Sequence, residues 1–212
     1  MPSRPEFGPA LGPARITGRA QQEGAPSKMP EFQRYAIYLT PPAGSPLADF
    51  GAAWLGWDPA GARTVPQSAP PDLPVAIERL TEAPRRYGFH ATLKAPCRLA
   101  PGTDEGELVQ AMRRFAAGAR RFEIPALRLG RIGRFLALEP PSPPADLQDF
   151  ASDVVSVFDA FRAPLTPGEL ERRRAASLTP PQEALLAQWG YPFVMSEFRC
   201  HLTLTGPLGA AE

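Results

Sequence analysis

An α+β fold, with antiparallel sheets flanked by helices, is what this 212-residue sequence predicts. Short alternating runs that suit strands recur between amphipathic runs that suit helices. Both histidines, His90 and His201, stand inside strand-like runs of one repeated pattern, His-x-Thr-Leu-x-x-Pro, at 90–96 and 201–207. With Thr and Leu each at roughly 5–10% of residues, two unrelated histidines both precede x-Thr-Leu on the order of once in 10⁴ to 10⁵ chains, and the shared proline makes coincidence rarer still. The pattern reads as a duplicated unit.

Residues 1–30 are studded with Pro, Gly, Arg and Gln and have neither helical nor strand periodicity. They are expected to be a disordered or artefactual extension, with Met29 a candidate start, and residues 31–212 form the predicted domain. Residues 34–39 alternate as a strand, with Tyr38 facing a cleft. Ser45, followed by Pro46 in the first turn, opens a helix to about Leu55. After a Pro-rich loop, residues 73–80 make a short helix, and a turn at 84–87 feeds the first motif strand, 88–99. A helix over 104–121, capped by Thr103 or Asp104, places Leu108, Met112, Phe115 and Ala119 on its apolar face. Strands 122–129 and 134–138 are joined by a hairpin turn at 130–133, which precedes a strand and so is no phosphate-cradling loop. A helix over 147–161 turns Phe150, Val154, Val157, Phe158 and Phe161 inward. Helices over 167–174 and 181–189 follow, and residues 193–196 lead into the second motif strand, 198–208.

At this length the chain can bury one substantial core. Its formal charge of +1 gives no global attraction for nucleic acid or membrane, so long nucleic acid is not an expected partner. No apolar run is long enough to span a bilayer and no secretory signal is visible, so a cytoplasmic location is expected. Cys97 and Cys200 are too few for a disulfide framework and lack zinc-site spacing; both are expected to be reduced and buried. Nothing in the pattern specifies an oligomer.

Side chains alternate along a strand. His90, Thr92 and Lys94 are therefore expected on one face, and His201, Thr203 and Thr205 on the matching face of the second strand. Ala91, Leu93, Leu202 and Leu204 turn the other way, into the core. A phosphoryl group between two such strands would meet two imidazoles that titrate near neutral pH and two hydroxyls for its oxygens. Lys94 is a candidate to neutralise phosphate charge. Arg34, Arg86 and Arg199 are candidate phosphate clamps, because guanidinium suits bidentate contact. Tyr38, Tyr87 and Phe89 are candidates to stack on a base or sugar.

The paired motifs, His-Ala-Thr-Leu at 90–93 and His-Leu-Thr-Leu at 201–204, resemble the 2H phosphoesterase superfamily. With Arg-Tyr-Ala-Ile-Tyr-Leu at 34–39 and Arg-Tyr-Gly-Phe ahead of the first histidine, the likeness is closest to the branch encoded in bacterial phosphonate-utilisation operons, over about residues 34–208. The resemblance implies a two-lobed fold with pseudo-twofold symmetry about a central cleft, no metal and no cofactor, and His90 and His201 as general acid and base. It implies a metal-free phosphodiesterase hydrolysing a cyclic phosphodiester of a small sugar phosphate or nucleotide, in phosphonate metabolism. RNA 2′,3′-cyclic phosphodiesterase or 2′-5′ RNA ligase-like chemistry, and a nucleotide-binding module without turnover, stay open as alternatives. Thr92, Thr203, Lys94, Tyr38 and Arg86 are the expected substrate-binding residues. The branch is expected to carry Phe where Cys97 and Cys200 stand here. A symmetric second lobe would need a helix and a strand after His201, so a missing C-terminal part of roughly forty residues is expected.

Overall fold

A computed structural model describes residues 34–209; the extension expected at 1–30 lies outside the described residues. The described chain is α+β, with small antiparallel sheets and seven α-helices. Strand β1 (Tyr35–Leu39) pairs with β4 (Ala91–Cys97), β2 (Trp57–Asp58) with β3 (Arg63–Thr64), and β5 (Arg128–Ile132), β6 (Phe135–Glu139) and β7 (Leu202–Thr203) form a three-stranded sheet in that order. The helices are α1 (Pro46–Leu55), α2 (Ile77–Leu80), α3 (Glu82–Arg85), α4 (Glu105–Gly118), α5 (Ala145–Val157), α6 (Pro167–Arg174) and α7 (Pro180–Trp189). The two motifs thus lie in different sheets, one of two strands and one of three.

Side-chain caps mark the starts of α1, α4, α6 and α7. Ser45 accepts the Ala48 N–H ahead of Pro46, and Asp104, Thr166 and Thr179 each form a reciprocal capping box with Glu107, Glu169 and Gln182. Each box satisfies two backbone donors that the first turn leaves open. Gly56, at φ 73°, ends α1 in the left-handed conformation that glycine adopts without strain.

Two clusters make the core. In the first, α4 and α5 cover the β1–β4 sheet through Ile37, Leu93, Leu108, Ala151, Val154 and Phe158. The second gathers Leu55 and Leu147 around Phe89 and Ala91 of the first motif and Cys200, Leu202 and Leu204 of the second. Ala91 with the adjoining Phe89, and Leu202 and Leu204 with the adjoining Cys200, therefore turn into one shared core, which ties the positions of the two histidines to each other, while Leu93 enters the first cluster.

Several boundaries differ from expectation for identifiable reasons. Residues 122–127 are not a strand: Pro125 offers no N–H for a ladder, although Phe122, Ile124 and Leu127 do pack on the core. The β2–β3 hairpin inside the Pro-rich loop was not expected; Asp58 Oδ1 accepts the N–H groups of Ala60 and Gly61 and turns the chain there. The long helix over 147–161 ends at Val157, which is exposed rather than inward, and continues as a 3₁₀ turn, Phe158–Phe161. The second motif strand shrinks to β7, because the N–H groups of Leu204 and Thr205 both reach the single carbonyl of Leu136, at 2.9 and 3.3 Å, and interrupt the ladder.

Candidate functional site

The two histidines are held in the same way. His90 Nδ1 lies 2.8 Å from the Gly88 carbonyl oxygen and His201 Nδ1 lies 2.7 Å from the Arg199 carbonyl oxygen, in each case two residues upstream. A carbonyl only accepts, so each Nδ1 carries the proton and each Nε2 is left to gain or lose one. Gly88 reaches this geometry at φ 77°, and a Cβ there would approach Pro59 to 3.0 Å, so both the turn and the close approach require glycine. The repeat in sequence is thus also a repeat in hydrogen bonding.

Their surroundings differ. The His90 ring lies against Tyr38, centroids 3.7 Å apart at 32°, while the His201 ring has Phe135 at 5.7 Å. Burial holds the His90 pKa below its ordinary value; the Gly88 carbonyl opposes this, and the neighbouring charge of His201 lowers it further. His201 is thus near enough for its charge to act on His90. Burial, with Tyr87 nearby, raises the Tyr38 hydroxyl. Thr92 stands directly across from Tyr38, and Thr203 across from Ala137. Among the described residues neither threonine hydroxyl has a protein hydrogen-bond partner.

Lys94 is a correction. Ile37 pairs with Lys94 but the next residue, Tyr38, pairs with Thr92, so β4 carries an extra residue at Leu93. This bulge puts Lys94 on the face of buried Ile37 and leaves Thr92 on the face of Tyr38. The ammonium is buried, donating to the Val155 carbonyl and to Asp159 Oδ1, both at 3.2 Å, rather than facing the histidines. Beyond the bulge Cys97 is half-buried instead of buried, whereas Cys200 is buried and its thiol is pushed up to about 11.

The other candidates disperse. Arg86 is exposed, 3.6 Å from Glu82 one helical turn away, and borders a cavity of about 410 Å³ with Gly206 and Pro207. Arg34 pairs with Glu169, and Arg199 with Glu139, which also takes Arg128. Phe89 is buried in the core and unavailable for stacking, while Tyr87 is exposed. Sequence reasoning missed Trp54, whose indole N–H donates to the Leu204 carbonyl at 2.8 Å and fastens the second motif to α1; nothing in its spacing announces that bond. Among the described residues no three His, Cys, Asp or Glu side chains come together as metal ligands. No helix among them is long and apolar enough to cross a membrane.

Comparison with known proteins bears on both family and activity. The chain is 43% identical over 180 residues to a protein of Janthinobacterium sp. (strain Marseille) named ribose 1,5-bisphosphate phosphokinase PhnN, and 36% identical over 181 residues to one of the same name from Laribacter hongkongensis (strain HLHK9). Each alignment covers 84% of this chain, which spans 40% and 41% of the length of those relatives. No solved structure gives a significant match. The phosphodiesterase expected from the motifs is thereby corrected: the named activity is that of a phosphokinase, which transfers a phosphoryl group, and hydrolysis of a cyclic phosphodiester, RNA-end chemistry and a module without turnover are not carried further. The profile of one family matches residues 92–212, more than half the chain, and the chain belongs to that family, described as protein of unknown function (DUF1045).

Proposed function

We propose that the chain holds a phosphorylated ribose between His90 and His201 and serves phosphoryl transfer to ribose 1,5-bisphosphate, the substrate in the names of its relatives. The observation that carries the reading is the matched pair of Nδ1 bonds, which leaves the Nε2 atom of each ring open, with the charge of His201 acting on His90. The likeness to the 2H superfamily supports reading the two motifs as halves of one cleft. The chain's two lysines, Lys28 and Lys94, stand in no glycine-rich phosphate loop. We therefore assign this chain the sugar-phosphate side of the reaction rather than the donor side.

The chemistry suits that side. A phosphate monoester has its second pKa near 6, so an attacking phosphate oxygen often carries a proton it must lose. His90, held toward its neutral form by burial, is suited to accept that proton through Nε2. His201, the more exposed of the two, would donate to a neighbouring phosphate oxygen. The hydroxyls of Thr92 and Thr203 can donate to the remaining oxygens, and Tyr38 fixes the plane of the His90 ring. Calorimetric titration with ribose 1,5-bisphosphate tests the assignment. The expected result is binding to the wild-type chain that weakens at least tenfold in His90→Ala and in His201→Ala; a folded wild-type chain that does not bind the sugar bisphosphate would overturn it.

A further inference from the structure

Away from the histidines, a cavity of about 340 Å³ opens between the start of β1, α6 and the segment before the second motif. Arg34, Arg172 and Arg173 line it together with Glu169, Tyr191 and Phe193. We infer that this cavity is a second anion site, built for a small ligand carrying two or more phosphate groups.

The charge balance points there. Glu169 is the carboxylate in the wall, and it is already fully engaged: Arg34 at 2.8 Å, Arg98 at 3.3 Å, and the backbone N–H and hydroxyl of Thr166 at 2.8 and 3.1 Å. Its carboxyl is held down to about 2, first by the Thr166 N–H, and so it is ionised. Arg172 and Arg173 have no carboxylate partner among the described residues. For exposed Arg172 that is ordinary. For Arg173, half-buried, a guanidinium with no direct carboxylate contact would be completed by an anion.

Geometry prepares Arg173 for such an anion. Its guanidinium carbon sits 4.7 Å from the Tyr191 ring centroid, over the face of the ring. Stacking occupies the guanidinium's flat face and leaves its N–H edge free for phosphate oxygens, with little left to order on binding. Burial lowers the Arg173 pKa and the charge of Arg34 lowers it further, while Tyr191 and Glu169 oppose. Several cations in one cavity favour several phosphates over one, and the volume fits a small molecule. Phe193, 42% exposed beside Tyr191, offers a flat apolar edge on which the base of a nucleotide could rest. Arg34 precedes Tyr38 by four residues, roughly 13 Å along a strand, so this site is separate from the histidines.

Pyrophosphate, ADP and inorganic phosphate titrated into the full chain at low ionic strength test the inference. Pyrophosphate and ADP are expected to bind at least tenfold more tightly than phosphate, and Arg172→Ala, an exposed position, to weaken both by roughly tenfold or more. ADP binding tighter than pyrophosphate, with the difference lost in Phe193→Ser, marks the ligand as a nucleotide; equal affinities mark it as a bare polyphosphate. His90→Ala must leave both titrations unchanged, so failure here and failure of the ribose bisphosphate assignment are distinguishable. Absence of binding, binding indifferent to both Arg172→Ala and Arg173→Gln, or binding lost in His90→Ala would overturn the second site.

Discussion

Lys94 and Asp159 form a buried ion pair whose two halves should not be equally replaceable. Lys94 Nζ lies 3.2 Å from Asp159 Oδ1, and the lysine side chain is 7% exposed against 25% for the aspartate. Asp159 has a second cation, Arg162, whose Nε and terminal nitrogen reach its two oxygens at 2.7 and 3.0 Å. Lys94→Met keeps the stem in place and leaves Asp159 paired with Arg162, so its cost should be about 1 kcal/mol or less. Asp159→Asn instead strands an ammonium in the interior. Breaking a buried pair from that side costs about 3–5 kcal/mol, and the partial exposure of Asp159 places this case near 3. Burial already holds the Lys94 pKa below its ordinary value, with Asp159 opposing. In Asp159→Asn it falls further, the unfolded chain then binds the proton in preference, and part of the lost stability should return as pH rises toward the ordinary lysine value. Urea unfolding at unchanged m reads both variants. If Lys94→Met costs as much as Asp159→Asn, the assignment of charges in this pair is wrong. If Lys94→Met abolishes ribose 1,5-bisphosphate binding in a folded chain, Lys94 is a ligand residue after all.

The remaining predictions concern the motifs. His201→Ala removes a charge that lowers the His90 pKa, so the His90 titration followed by NMR should move upward; an unchanged midpoint would show that the two rings do not sense each other. Because the folded-state pKa of His90 is depressed, its contribution to stability is complete above the unfolded value near 6.5 and lost as pH falls through the folded midpoint. His90→Gln should flatten that part of the stability profile, and an unaltered profile would place the pH dependence elsewhere. Trp54→Phe removes the donor to the Leu204 carbonyl and should cost about 1–3 kcal/mol in thermal unfolding; a cost near zero would mean that the bond does not fasten the second motif.

Much of the site was legible because alternation holds where it matters. Phe89 and Ala91, and Cys200, Leu202 and Leu204, do turn into one core, which is enough to predict that His90 and His201 face away from it. Helix starts were legible because caps and prolines carry position-specific chemistry, as at Thr166-Pro167 and Asp104. Alternation failed at Lys94 because no residue type marks a bulge: Leu93 fits a regular strand as well as a bulged one. It failed at 122–127 because the pattern records burial and not pairing, and Pro125 denies the pairing. The expected hydrolysis failed for a chemical reason. A repeated imidazole and hydroxyl suggest proton transfer at a phosphate, but the acceptor of a phosphoryl group is set by what else binds, which two seven-residue motifs do not encode.

The central claim is that His90 and His201 act as one site for a phosphorylated ribose, and the two imidazole signals of the whole chain test it most directly, since the chain has only two histidines. Ribose 1,5-bisphosphate is added stepwise while both signals are followed by NMR. The account predicts that both shift together along one saturation curve, and that neither shifts when unphosphorylated ribose replaces ribose 1,5-bisphosphate. Signals that stay fixed through the titration, or a response from one histidine alone, would contradict it.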